Sequence, residues 1–121
     1  MSEKQIMVID DDPDVRSLLA TILEEKGYQV LQAKSGSEAL EILKREVPHL
    51  IITDLLLPGE HGLDLIQVVK SEYFIPVIIL SGVYHHREVK KIINDNFVEA
   101  FFEKPVNMNK LLAKVNQLLN E

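Results

Sequence analysis

Four places in this sequence carry residue types that do chemistry in concert. Three consecutive acids, Asp10-Asp11-Asp12, follow a short apolar run; Asp54 follows another, Ser81-Gly82 a third and Lys104-Pro105 a fourth. Crowded carboxylates repel one another, and a divalent hard cation relieves that repulsion. Mg²⁺ suits such a set, because it takes oxygen ligands in an octahedron and commonly combines one or two carboxylates with a phosphate oxygen. Histidine is absent from these positions, which argues against zinc. A carboxylate is also a nucleophile toward a phosphoryl group, giving an aspartyl phosphate. Catalysis of that transfer is mainly positioning and charge stabilisation, which Mg²⁺ and a lysine supply. The Ser81 hydroxyl is a hydrogen-bond donor for the transferred group. Each residue alone has a duller explanation. An Asp after a strand usually caps the next helix, and a Lys before a Pro is usually just exposed. Their shared position at the ends of apolar runs is what links them.

Those runs must therefore be strands of one sheet. Ile6–Ile9, Tyr28–Leu31, Leu50–Ile52, Val77–Leu80 and Val98–Phe102 are short and rich in β-branched or aromatic residues, which predicts strands. Three are continuously apolar, as parallel strands covered on both faces are. Helical patterns lie between them. Val15, Leu18, Leu19, Ile22 and Leu23 share one face behind Asp12-Pro13, an N-cap and first-position pair, and Gly27 is a stop signal. Ser35-Gly36-Ser37-Glu38 reads as a capping box before Ala39, Leu40 and Leu43. A third helix carries Leu63, Ile66 and Val69, and a fourth Val89, Ile92 and Ile93. The last starts at Asn107 and buries Leu111, Leu112, Val115, Leu118 and Leu119. The pattern is β-α repeated five times. Right-handed crossovers then place helices on both faces of a parallel sheet. Ligands of such sheets bind beyond the carboxyl ends of the strands, near a topological switch point. The acids, the serine and the lysine all stand at that edge.

Composition narrows the function. A chain of 121 residues with 46% hydrophobic and 26% charged residues is an ordinary globular domain. The net charge of −6, from 19 acids and 13 bases, argues against direct nucleic-acid binding. The lack of cysteine excludes a disulfide framework, a thiolate zinc site and a cysteine nucleophile. The apolar runs fall far short of the roughly 20 residues that span a bilayer. The segment MSEKQIMVIDDD lacks the features of a signal peptide. A cytoplasmic protein with no membrane partner is expected. No Gly-x-x-x-x-Gly-Lys or Gly-x-Gly-x-x-Gly occurs, so nucleotide binding lacks its signature.

Taken in order, several motifs resemble one known family, the receiver domains of two-component response regulators. They are Asp10 and Asp11 with Pro13 and Arg16, Asp54-Leu55-Leu56-Leu57-Pro58-Gly59 with Gly62, Ser81-Gly82, Phe101 and Lys104-Pro105. The resemblance covers essentially the whole chain, read as a single receiver domain over residues 1–121. It implies a flavodoxin-like doubly wound (βα)5 fold with a five-stranded parallel sheet in the order 2-1-3-4-5. Asp54 would accept a phosphoryl group from a phosphohistidine on a histidine kinase or phosphotransfer protein, with Lys104 and Ser81 completing the catalytic set. Mg²⁺ would be bound by Asp11, Asp54 and the backbone carbonyl of Leu56, with Asp10 acting mostly through a metal-bound water. Lys104 would contact the phosphoryl oxygens, and Asp12 would remain the helix cap. The Lys104-Pro105 bond is expected in cis. Ser81 and Phe101 would act as a switch, with Phe101 moving from an exposed to a buried rotamer. That movement would reshape the face of the fourth helix, fifth strand and fifth helix for a downstream effector. Dimerisation through the same face is common in similar proteins.

Departures from the family pattern carry information. Phe101 lacks the hydroxyl of the more usual Tyr, and Asn96-Phe97 replaces a Gly-Ala pair. Leu56 and Val83, each two residues beyond a site residue, are apolar and cannot orient an attacking water, which implies slow self-dephosphorylation. Tyr84-His85-His86-Arg87 with Lys90 and Lys91 is a basic patch on an acidic protein. It reads as a solvated helix face or as a dock for an acidic partner. His49 and His61 read as loop or strand-edge residues. The favoured function is a phosphorylation-controlled switch that modifies itself and turns over no small substrate. A Mg²⁺-dependent aspartyl phosphatase is one alternative, although Leu56 stands where that class places a general acid. An FMN-binding module is another, although Asp10-Asp11-Asp12 would repel a phosphate in the absence of metal.

Overall fold

The computed structural model of the chain describes residues 4–57, 60–82 and 98–120. The described elements are β1 (Gln5–Ile9), α1 (Pro13–Glu25), β2 (Gln29–Ala33), α2 (Gly36–Leu43), β3 (Leu50–Asp54), β4 (Leu56–Leu57), β5 (Glu60–His61), α3 (Gly62–Glu72), β6 (Val77–Ser81), β7 (Ala100–Glu103) and a C-terminal helix (Met108–Asn120). The expected fourth helix with Val89, Ile92 and Ile93 lies outside the described residues. So do Pro58, Gly59, Val83, the basic patch and Asn96-Phe97.

Five strands form one parallel sheet in the order β2-β1-β3-β6-β7. That is the expected order 2-1-3-4-5 once the two-residue β4 and β5 are set aside. Those two form an antiparallel hairpin with Leu56 opposite His61, which the sequence reading did not foresee.

Each sheet strand between the edges is buried on both faces, and the alternation of its side chains splits the core in two. Met7, Ile9, Ile51, Val77 and Ile79 pack with Ala39 and Leu43 of α2 and Leu65, Ile66 and Val69 of α3. Ile6, Val8, Leu50, Ile52, Ile78 and Leu80 pack with Leu19 and Leu23 of α1 and Leu111 and Val115 of the C-terminal helix. Burying one such aliphatic side chain contributes about 1.5–3 kcal/mol. The unbroken apolar runs are thus required by helices on both sides.

The helix ends follow their caps. Asp12 accepts the N–H of Asp14 at 2.9 Å, and Pro13 opens α1. Gly27, at φ +94°, turns the chain toward β2. Ser35 accepts the Glu38 N–H at 3.1 Å, but Glu38 returns its carboxylate to the N–H of Lys34, at 3.1 Å, so the box closes one residue early. Asn107 caps the C-terminal helix through the N–H of Lys110.

One expectation changes. Leu18, placed on the buried face of α1, is 55% exposed, and Ala20 is buried instead. The core-facing stripe is therefore rotated toward Ala20 relative to the one that the apolar positions suggest. His49 does lie just outside a strand, but it is bonded: its backbone N–H donates to the Gln5 carbonyl and its Nδ1 accepts the Gln5 N–H.

Among the described residues, one is strained. Phe74, which follows α3, has φ +55° and is 82% exposed, with its N–H bonded to the Val69 carbonyl. A side-chain-bearing residue in this region costs about 1–2 kcal/mol, and the exposed ring recovers little by burial. Phe74→Gly relieves that strain but adds freedom to the unfolded chain. The expected net effect is a gain of about 0.5–1 kcal/mol in unfolding free energy, read as a higher urea midpoint at unchanged slope.

Candidate functional site

The register brings the chemistry together. Ile9 is level with Thr53, Asp54 with Leu80, and Ser81 with Glu103. The strands therefore end at nearly the same height, and Asp10, Asp54, Ser81 and Lys104 follow or close them in spatial order.

Asp10 is 2% exposed and fixed through every polar group it has. Its N–H donates to the Ala33 carbonyl at 3.1 Å. Its own carbonyl accepts from Nη1 of Arg16 at 2.7 Å. Oδ1 accepts the Asp12 N–H at 2.9 Å, and Oδ2 accepts from Nζ of Lys104 at 2.8 Å. Asp54, 9% exposed, closes β3, and its Oδ2 lies 2.9 Å from the same ammonium. Its carbonyl accepts from the buried Thr53 hydroxyl at 3.0 Å. Ser81 is buried at 1% exposure, and its carbonyl accepts the Lys104 N–H at 3.0 Å, which extends the β6–β7 ladder by one bond. The Lys104–Pro105 peptide bond is cis.

Lys104 thus bridges two buried carboxylates. Burial opposes its charged form, but the hydrogen bonds to Asp10 and Asp54 and the negative charges of both outweigh that cost and raise its pKa above the ordinary 10.5.

Asp11 is exposed and completes the acidic set. One carboxylate oxygen each from Asp10, Asp11 and Asp54 lies within 4.8 Å of the others. That spacing places the three acids around a space where one small cation could be held. The donor set is all oxygen, which fits a hard cation. Leu56, the other expected ligand, opens β4 two residues beyond Asp54.

Phe101 is half-buried against the core cluster beneath α2 and α3 rather than exposed. Gly82 is not forced by space: a Cβ there would meet Cβ of Lys104 at 3.8 Å, an ordinary contact. Arg16 has a chemical role that its place in the sequence does not announce. The available signal was an arginine one turn into the helix that follows the acids, within reach of the strand end. Among the described residues, no helix is long and apolar enough to cross a membrane.

Comparison with known proteins points one way. The family model described as the response regulator receiver domain matches residues 6–116. The "Probable transcriptional regulator ycf27" of Porphyridium aerugineum is 34% identical over 98% of this chain and 49% of its own length. The chain therefore spans about half of that regulator. A response regulator receiver protein from Pseudomonas putida is 30% identical, with a TM-score of 0.90 over 97% of this chain and 98% of that one. The response regulator TrrA of Thermotoga maritima, solved in complex with Mg²⁺ and BeF, is 32% identical, with a TM-score of 0.83 over 96% and 99% of the two chains.

Removing the bridging cation should be costly. Lys104→Met is expected to lower unfolding free energy by about 1–3 kcal/mol in Mg²⁺-free buffer, less than for a fully buried pair because Lys104 is partly solvated. Because its folded pKa is raised, the contribution of Lys104 is complete below 10.5 and is lost as pH rises through the higher folded value. Urea denaturation of both proteins from neutral to strongly alkaline pH should show the two curves converging only at the alkaline end.

Proposed function

The chain belongs to the response regulator receiver domain family, and on that premise we propose that Asp54 accepts a phosphoryl group from a phosphohistidine on a histidine kinase or phosphotransfer protein. The observation that carries the proposal is the single ammonium of Lys104 held 2.8 Å from Asp10 and 2.9 Å from Asp54. A receiver domain is a signalling module and not a turnover enzyme. The two alternatives weighed from the sequence, an aspartyl phosphatase and an FMN-binding module, are not favoured. The expected setting is the cytoplasm.

An Asp54 carboxylate oxygen attacks phosphorus, the P–N bond to the donor imidazole breaks, and the imidazole leaves with the bonding pair. When bound, Mg²⁺ supplies positive charge against the phosphoryl oxygens and helps align donor and acceptor. Asp11, Asp54 and the Leu56 carbonyl would hold it directly. Asp10, whose two oxygens already accept from Asp12 and Lys104, would contribute through water. The complex of TrrA with Mg²⁺ and BeF supports carrying this cofactor over to the matching acids here. Lys104 turns its ammonium to the phosphoryl oxygens, and Ser81 donates its hydroxyl to them.

The energy of that response fits a switch. A phosphoryl group brings roughly −1.5 to −2 charges. Charge-assisted bonds from Ser81 and Lys104 contribute about 1.5–3 kcal/mol each, or about 3–6 kcal/mol together. Inverting a 1:99 equilibrium takes about 5.5 kcal/mol. Drawing Ser81 toward the phosphoryl group makes room for Phe101 to complete its burial. This reshapes the face formed by β7, the C-terminal helix and the expected fourth helix, where a downstream effector or a second copy docks. With no hydroxyl to satisfy, Phe101 divides less sharply between its two positions than a Tyr.

Two outcomes test this reading. Acetyl phosphate with Mg²⁺ should add the mass of one phosphoryl group to the intact protein, and Asp54→Asn should stay unmodified and show no beryllofluoride-induced NMR shifts. A modified Asp54→Asn protein would refute the assignment. After rapid donor removal the phosphoryl group should persist for minutes, because the side chains of Leu56 and Val83 carry no polar atom to orient water; Leu56→Asn should shorten that lifetime.

A further inference from the structure

We infer that Arg16 is a positioning residue that sets the Mg²⁺ affinity of the site by locking the peptide plane between Asp10 and Asp11. The inference rests on the proposed Mg²⁺ site and goes beyond it. It names a residue outside the ligand set and a sign for its effect.

Three bonds hold Asp10. Its N–H is tied to β2, Oδ1 to the turn and Oδ2 to Lys104. These bonds fix the side chain and the amide that precedes it. They leave the following peptide, which carries the Asp10 carbonyl and the Asp11 nitrogen, to be fixed by something else. Arg16 does this at 2.7 Å, the shortest hydrogen bond described in the site. Its donor is rigidly based: Arg16 lies in the first turn of α1, its own N–H bonded to the Asp12 carbonyl at 3.0 Å, and that turn is capped by the Asp12 carboxylate. Among the described residues no hydrogen bond anchors the Asp11 side chain, which is exposed in the turn. Where its carboxylate lies relative to Asp10 and Asp54 therefore follows from the orientation of the peptide that Arg16 grips.

Two physical effects of Arg16 oppose each other. As a cation near three carboxylates it repels a dication, so by Coulomb's law its removal should tighten Mg²⁺ binding. As a clamp it pre-orients a ligand, so its removal should weaken binding, typically by ten-fold or more for groups that orient metal ligands. The geometry favours the second effect. The bond is short, partly buried and directed at a carbonyl, and no ion pair joins Arg16 to a carboxylate among the described residues.

The test is a Mg²⁺ titration of the full chain without phosphoryl donor, following the backbone amide resonances of Asp11 and Asp54 by NMR. Arg16→Ala is expected to weaken binding about ten-fold, and Arg16→Lys, which keeps the charge and one donor, to recover part of that loss. Arg16→Met, which has no donor, is titrated alongside, so that a failure of the Ala variant to fold leaves a neutral variant to read, and the same weakening is expected. Neutral variants that bind Mg²⁺ as tightly as the wild type, or more tightly, would overturn the clamp while leaving the metal site standing. A wild-type chain that binds no Mg²⁺ would overturn both, and the wild-type titration alone separates the two failures.

Discussion

Two carboxylates buried side by side need a cation, and here one ammonium serves both. Asp10 and Asp54 are nearly out of contact with water at the ends of neighbouring strands, where desolvation of paired negative charge is expensive. Lys104 meets an oxygen of each. Much of the architecture can be read as the means of delivering that ammonium. It must come from a strand on the far side of β6, at matching height, on a backbone tied to the Ser81 carbonyl. With Asp11 included, three carboxylates face one lysine, so the cluster retains an excess of negative charge that a small dication can meet.

The parts of the fold that were plain in the sequence are those in which a single physical pattern acts alone. Continuous apolar runs such as Val77–Leu80 read as strands because helices cover both faces, and the residue after each run then falls at the sheet edge. Asp12-Pro13 and Gly27 read as helix boundaries because a capping carboxylate and a left-handed turn have few substitutes. This is why Asp10, Asp54, Ser81 and Lys104 were legible as a group before any coordinates.

What stayed hidden depends on competition between neighbours. Leu18 carries the period of the buried face but lies beyond the reach of the sheet, so its exposure is set by helix placement and not by periodicity. Glu38 bonds the N–H of Lys34, one residue before the helix cap, and the residue pattern alone does not say which backbone donor it takes. The β4–β5 hairpin is too short to leave a pattern. Arg16 donates to a backbone carbonyl, an acceptor that every residue possesses, so sequence gives no hint of which one is meant.

The bonds that join Lys104 to Asp54 and Asp10 span 50 and 94 residues of chain. Closing loops of that length belongs to the slow, late part of folding. A partly folded chain can possess the acids, the first helix and most of the sheet and still hold two carboxylates with no counter-charge. Site and complete topology therefore arrive together: the two carboxylates gain their counter-charge only when the strand that carries Lys104 has found its place.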